Sequence, residues 1–103
     1  MKNRVLILGG SGFIGENLID YFNINSEYDL LNVDLVPNQE STKKCKYIKC
    51  DLRSEKLDVI IQKFSPNYII NLAAETSIKY KKISDYSTNI DGVVNLIKIT
   101  NKY

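Results

Sequence analysis

The sequence has no histidine and no tryptophan, and only two cysteines, two prolines and one methionine in 103 residues. Without histidine, no serine or cysteine has the base that usually activates it, and two thiols alone do not complete a zinc site. A net charge of +2 is too small to indicate a nucleic-acid partner. No apolar run approaches the length of a membrane span, and the N-terminus lacks the apolar core of a signal peptide. We therefore expect a cytoplasmic protein with no metal site, no nucleic-acid partner and no membrane contact.

The two cysteines, Cys45 and Cys50, lie five residues apart. Their odd separation would place them on opposite faces of one extended strand. We therefore expect two reduced, separate thiols.

Short apolar runs alternate with amphipathic runs along the chain. The runs predict strands at 5–8, 29–33, 47–50 and 68–72. Apolar residues at helical spacing predict three helices. The first covers Phe13 to Phe22. The apolar stripe of the second is Leu57, Ile60, Ile61 and Phe64, and that of the third is Ile90, Val93, Val94 and Ile97. Ser54 is a candidate cap for the second helix, which Pro66 would end. This alternation predicts an α/β fold with parallel strands and right-handed crossovers.

Glycines mark the turn between the first strand and the first helix, in the segment GGSGFIG. Gly9 would end the strand in a tight turn that can require positive φ. Gly10 or Gly12 would let a pyrophosphate approach the backbone, and Gly15 would let the helix pack close to the sheet. The helix start then offers N–H groups to the anion. A glycine-rich turn without a ligand is the alternative.

Two aspartates follow the second and third predicted strands. Asp34 comes about 20 residues after the glycines, where a carboxylate can accept hydrogen bonds from the adenosine ribose. A 2′-phosphate would meet its negative charge, so NAD is favoured over NADP. Asp51 can accept a hydrogen bond from the adenine amino group, with Leu52 against the ring. The alternative for Asp34 is a strand-end aspartate that starts a turn. The alternative for Asp51 is an acidic residue near a helix start.

Five segments together resemble the N-terminal part of the extended short-chain dehydrogenase/reductase family, the NAD-dependent epimerase/dehydratases of nucleotide sugars. They are GGSGFIG, VD at 33–34, CDLRS at 50–54, NLAAETS at 71–77 and NIDGVVNLI at 89–97. The resemblance covers essentially the whole chain in the family's order. One departure is Leu8, where many relatives carry threonine.

The resemblance implies a Rossmann-type three-layer sandwich, whose four-stranded parallel sheet has the order 3-2-1-4 and helices on both faces. Residues 1–103 would form a partial NAD-binding domain, truncated relative to the full family fold. The implied cofactor is NAD. The cofactor-binding positions would be Gly9, Gly12, Phe13, Ile14, Gly15, Asp34, Asp51, Leu52, Ala73, Ala74 and Asn89.

The family's catalytic pair is absent from these residues. Its reaction uses a tyrosine with a lysine four positions later, and none of the seven tyrosines here has that lysine. No catalytic residue is therefore assigned. In the family a hydride passes to NAD and returns to the sugar. We expect the NAD-binding portion of a nucleotide-sugar epimerase or dehydratase, not catalytic alone, with a sugar-nucleotide substrate only in a longer chain and a possible homodimer. The alternative is a free-standing nucleotide-binding or protein-interaction module without catalysis.

Overall fold

The computed structural model describes residues 2–24, 27–38, 45–73 and 87–103. Strands and helices alternate along these segments, as the sequence predicts. The elements are β1 (Asn3–Leu8), α1 (Phe13–Ile24), β2 (Tyr28–Asp34), β3 (Lys46–Lys49), α2 (Lys56–Phe64), β4 (Tyr68–Asn71) and α3 (Ser87–Thr100). Within the described part, no helix has both the length and the apolar character needed to cross a bilayer.

All four strands form one parallel sheet in the order β3-β2-β1-β4. Leu6 on the central strand β1 lies beside Leu31 of β2 and Ile69 of β4. This arrangement confirms the predicted Rossmann-type fold and its strand order. The order reverses direction at β1, so β2 and β4 leave a crevice between their following loops at the carboxyl ends.

Helices cover both faces of the sheet, which confirms the three layers. Val5 and Ile7 of β1 pack with Ile19 of α1 on one face. Leu6 and Leu8 point to the other face, where the core includes Leu57 and Ile61 of α2 and Leu96 and Ile99 of α3. Successive strand residues alternate between faces, so a continuous apolar run such as that of β1 indicates a strand buried on both sides.

The two cysteines lie at the ends of β3 and belong to different cores. Cys45 is buried on the α1 face and Cys50 on the α2 and α3 face, and both are free thiols. This placement agrees with the prediction from their odd separation. Burial raises the pKa of Cys45 to about 11 and also raises the pKa of Cys50. Both groups therefore remain protonated near neutral pH, which makes them poor nucleophiles.

Helix α2 begins and ends near the residues that the sequence marks. The Ser54 hydroxyl oxygen accepts a hydrogen bond from the Lys56 N–H at 3.1 Å, and the helix runs to Phe64. Ser65 then takes a left-handed conformation with φ of 49°, directly before Pro66. Leu57 and Ile61 are buried, and Ile60 and Phe64 pack against them as the predicted stripe requires.

Helix α3 leaves most of its predicted apolar stripe exposed, although Val93 is half-buried. The residues that face the core are Gly92, Leu96 and Ile99. Ile90, Val94 and Ile97 are 49%, 48% and 53% exposed, respectively. Two apolar faces share this helix, and the spacing of apolar residues alone does not distinguish the one that the sheet covers.

Candidate functional site

A cleft with a volume of about 540 Å³ opens at the carboxyl ends of the strands. Nine of the predicted cofactor-binding residues line it: Gly9, Gly12, Phe13, Ile14, Gly15, Asp34, Asp51, Leu52 and Ala73. These residues come from four separate loops. The parallel strands bring the loops together because their carboxyl ends meet at one edge of the sheet.

The remaining two predicted residues have different outcomes. Asn89 is in the first turn of α3 and is not among the residues that line the cleft. Ala74 lies outside the described residues. The cleft also has apolar walls that the sequence did not single out, formed by Leu8, Val33, Leu35, Cys50 and Leu72.

Another cavity, of about 510 Å³, lies at the opposite end of the sheet. Its walls include Arg4 at the start of β1, Ser65 after α2 and Tyr103 after α3. Of the predicted site residues that the structure describes, none belongs to it. The chemistry indicated by the sequence is therefore concentrated in the first cleft.

Gly9 makes the turn from β1 toward α1 by a conformation that favours glycine. Its φ is +79°, as expected from the sequence, and its N–H donates to the Val33 carbonyl oxygen at 2.8 Å. A Cβ atom at this position would lie 2.7 Å from the Ala73 nitrogen. The left-handed backbone and the close approach of the loop after β4 both exclude a side chain here.

The structure distinguishes Gly12 from Gly10, which the sequence left as alternatives. Among the described residues, a Cβ atom on Gly12 would meet only the Gly9 carbonyl oxygen, at 3.8 Å. A Cβ atom on Gly10 would instead lie 2.5 Å from Asn32 Oδ1. Gly12 is therefore the glycine that leaves space for a ligand.

Gly15 allows a close approach at the start of α1. A Cβ atom here would lie 2.5 Å from the Gly10 Cα atom, so the first turn of the helix packs closely against the glycine turn. This contact fixes the start of the helix relative to the turn. The first N–H groups of a helix lack partners within the helix, and they carry its positive dipole end toward the cleft.

The Asp34 carboxylate is held next to the glycine turn. Its Oδ2 accepts a hydrogen bond from the Ser11 N–H at 3.0 Å, and its Oδ1 accepts one from the Leu35 N–H at 2.6 Å. Oδ1 also accepts a longer hydrogen bond from the Val36 N–H at 3.4 Å, whereas Oδ2 keeps a lone pair for a further donor. The carboxylate therefore offers a fixed acceptor to a ligand that lies on the turn.

The Asp51 carboxylate has an internal partner that the sequence reading missed. Arg53 donates to Oδ1 from Nε at 2.9 Å and to Oδ2 from a terminal nitrogen at 2.6 Å. Hydrogen bonding by the Arg53 guanidinium lowers the pKa of the Asp51 carboxyl group. Asp51 is therefore ionised at neutral pH and acts as an acceptor only, which suits an exocyclic amino group.

Helix α3 holds the loop that carries Leu52. Asn95 donates from Nδ2 to the carbonyl oxygens of Leu52 at 2.9 Å and Ser54 at 3.1 Å. A Cβ atom on Gly92 would lie 2.7 Å from Leu52 Cδ2, so the helix and the loop approach closely. Both contacts support the position of Leu52 at the cleft.

Within the described residues, no group of three histidine, cysteine, aspartate or glutamate side chains is arranged to hold a metal ion. The cleft instead combines a glycine turn, a helix start and separate carboxylates. The family model described as the NAD dependent epimerase/dehydratase family matches residues 5–103. The chain belongs to this family. NAD is therefore the cofactor of the family to which the protein belongs.

Individual relatives agree with this assignment. The chain is 28% identical to dTDP-glucose 4,6-dehydratase of Haemophilus influenzae, over 97% of this chain and 33% of that protein. It is 29% identical to UDP-glucose 4-epimerase of Mycolicibacterium smegmatis, over 90% of this chain and 33% of that protein. Among solved structures, dTDP-glucose 4,6-dehydratase of Bacillus anthracis in complex with NAD superimposes with a TM-score of 0.82 at 29% identity, covering 98% of this chain and 34% of that one. The chain thus spans about a third of the length of these relatives.

Proposed function

We propose that the cleft binds NAD, and that this chain is the NAD-binding portion of a nucleotide-sugar epimerase or dehydratase. The observation that carries the proposal is the hydrogen bond from the Ser11 N–H to the Asp34 carboxylate. This hydrogen bond joins the glycine turn to the carboxylate that would bind the ribose. The residues present fit the cofactor. Gly12 leaves open space where a pyrophosphate would approach the backbone, and Asp34 would accept hydrogen bonds from the adenosine ribose.

The other end of the cleft suits adenine. Asp51 would accept a hydrogen bond from the adenine amino group, and Leu52 would lie against the ring. Phe13, Ile14, Gly15 and Ala73 would line the remaining surface. When bound, NAD would supply the hydride acceptor and donor. This chain's own residues would bind and orient it.

We expect Asp34→Asn to weaken NAD binding about tenfold, the effect of losing a charge-assisted hydrogen bond, and to reduce the preference for NAD over NADP. The charge of Asp34 would repel a 2′-phosphate, so its removal affects NADP less. Isothermal titration calorimetry with NAD, NADP and AMP measures both effects. Equal or tighter binding of NADP by the unaltered chain would contradict the role given to Asp34.

Asp29→Asn is the matched control for this substitution. Asp29 lies on the same strand at the opposite end from the cleft, where it forms an exposed ion pair with Lys46 at 3.2 Å. Such pairs contribute about 0–1 kcal/mol to stability. The control removes the same charge and should leave the affinity for NAD unchanged.

A second candidate function, protein interaction, is favoured by the exposed stripe of Ile90, Val94 and Ile97 on α3. Among the described strands, β4 pairs only with β1, and its Tyr68 is exposed. Open strand edges and apolar helix faces both favour pairing with another chain. We propose a homodimer formed through this side of the molecule.

We expect Val94→Glu to convert the dimer into a monomer, because a charge in the middle of the stripe would be buried at the interface. Light scattering across a range of concentrations measures the change in mass. Val59→Glu is the control, since Val59 is equally exposed but lies on α2. A monomeric unaltered chain at every concentration would rule out the homodimer.

A further inference from the structure

Asn32 is a polar residue in the middle of an apolar strand. It lies on β2 between Leu31 and Val33, and its exposed fraction is 0%. A buried amide is destabilising unless its donors and acceptor have partners. The contacts of Asn32 therefore indicate what the residue does in this fold.

The amide has partners for its oxygen and for both hydrogens. Its Oδ1 accepts a hydrogen bond from the Gly10 N–H at 2.8 Å. Its Nδ2 donates to the Ser11 hydroxyl oxygen at 3.0 Å and to Asn38 Oδ1 at 2.7 Å. The Gly10 N–H can only donate, so the atom that faces it must be the oxygen. The side chain thus joins the glycine turn to the segment after β2.

Ser11 extends this connection to the ligand-facing carboxylate. Its hydroxyl donates to the Val36 carbonyl oxygen at 2.6 Å, and its N–H donates to Asp34 Oδ2 at 3.0 Å. Asn38 in turn donates from Nδ2 to the Cys45 carbonyl oxygen at 2.6 Å. One buried amide is thus connected to both the turn and Asp34 through Gly10 and Ser11, although Asn32 does not itself line the cleft.

Gly10 and Asn32 fit each other closely. A Cβ atom on Gly10 would lie 2.5 Å from Oδ1 and 2.8 Å from Cγ of Asn32. The Asn32 amide, and not a ligand in the cleft, thus requires that Gly10 has no side chain. Gly10 therefore makes room for the Asn32 side chain, whereas Gly12 leaves room for the ligand.

We propose that Asn32 is a positioning residue, which holds the glycine turn and the Asp34 carboxylate in the arrangement that binds the diphosphate and ribose of a nucleotide. This inference rests on the proposed nucleotide-binding function. Because the arrangement forms before the ligand arrives, binding does not require ordering of the turn. Loss of the amide would weaken contacts with the diphosphate more than contacts with the nucleoside.

The test compares ADP with adenosine as ligands of the 103-residue chain. Asn32→Leu keeps the number of side-chain heavy atoms and the branch at Cγ but removes all three hydrogen bonds of the amide. We expect the ratio of ADP affinity to adenosine affinity to fall about tenfold, the effect expected for one hydrogen bond to a charged ligand. A merely structural role would instead lower both affinities by the same factor, because only the folded fraction would change.

Asn67→Leu is the control, since Asn67 accepts a hydrogen bond from the Arg4 N–H at 2.8 Å at the opposite end of the sheet. Its ratio of affinities should equal that of the unaltered chain. Circular dichroism measures the folded fraction of each variant. If Asn32→Leu does not fold, Ser11→Ala replaces it. This substitution removes the hydroxyl contacts with Asn32 and Val36 but keeps the Ser11 N–H, and the ratio should fall about threefold.

The outcomes separate the two levels of the proposal. A selective loss of ADP affinity supports the positioning role of Asn32. An unchanged ratio in Asn32→Leu, or in Ser11→Ala where the first variant is unfolded, overturns that role while the nucleotide-binding function stands. Failure of the unaltered chain to bind either ligand overturns the nucleotide-binding function itself.

Discussion

Gly12→Val is expected to weaken NAD binding by about a hundredfold or more, since it removes several hydrogen bonds between the pyrophosphate and the backbone. Gly12 is exposed, and within the part of the chain that the structure describes a Cβ atom there would approach only the Gly9 carbonyl oxygen, at 3.8 Å. A valine side chain fits the protein but fills the place where the pyrophosphate would lie. Calorimetry with NAD measures the loss, and thermal unfolding shows whether the variant keeps its fold.

Asn23→Val provides the control for Gly12→Val. Asn23 is an exposed residue near the end of α1, far along the helix from the glycine turn. The same valine there should leave NAD affinity unchanged. Normal NAD binding by a folded Gly12→Val variant would mean that the pyrophosphate does not lie on this turn.

The isolated 103-residue chain is expected to bind NAD weakly and to turn over no nucleotide sugar. No tyrosine in it has a lysine four positions later, so the residue pair that the family resemblance requires for proton transfer is missing from this segment. General acid–base catalysis contributes roughly a hundred- to ten-thousand-fold to rate, and positioning of the substrate contributes more. In the proposed binding mode, the glycine turn, Asp34 and Asp51 would contact only the adenosine and pyrophosphate half of the cofactor.

NADH absorbance and product formation with UDP-, GDP- and dTDP-sugars measure this activity. A rate above background in the purified chain, abolished by Gly12→Val, would place catalytic groups within these residues. The Gly12→Val comparison is essential because it separates turnover by this cleft from turnover by a contaminating enzyme. A background rate that Gly12→Val leaves unchanged agrees with the expectation.

The local pattern of the sequence was sufficient for the elements of the fold. The apolar run at 5–8 predicts a strand buried on both faces, and the structure places β1 at the centre of the sheet. The glycine spacing predicts a strand–turn–helix unit. In the structure Gly9 adopts positive φ at this turn, a conformation that favours glycine. These features depend on neighbours a few residues apart, which a sequence displays directly.

The site was predictable in its outline for a related reason. In a parallel sheet the carboxyl ends of the strands share one edge, so residues that follow different strands meet there. Gly12, Asp34 and Asp51 accordingly line one cleft. The family resemblance added Ala73, which also lines this cleft, and Asn89, which does not.

Tertiary structure alone decided the features that depend on contacts between distant segments. Asn32 reads in the sequence as one polar residue in a strand, and only the folded chain brings Gly10 and Ser11 against its amide. The packed face of α3 likewise depends on Gly92 meeting Leu52, since the helix has an apolar stripe on either side. Spacing along the chain determines which residues share a face of an element, whereas the partner that each face finds depends on long-range packing.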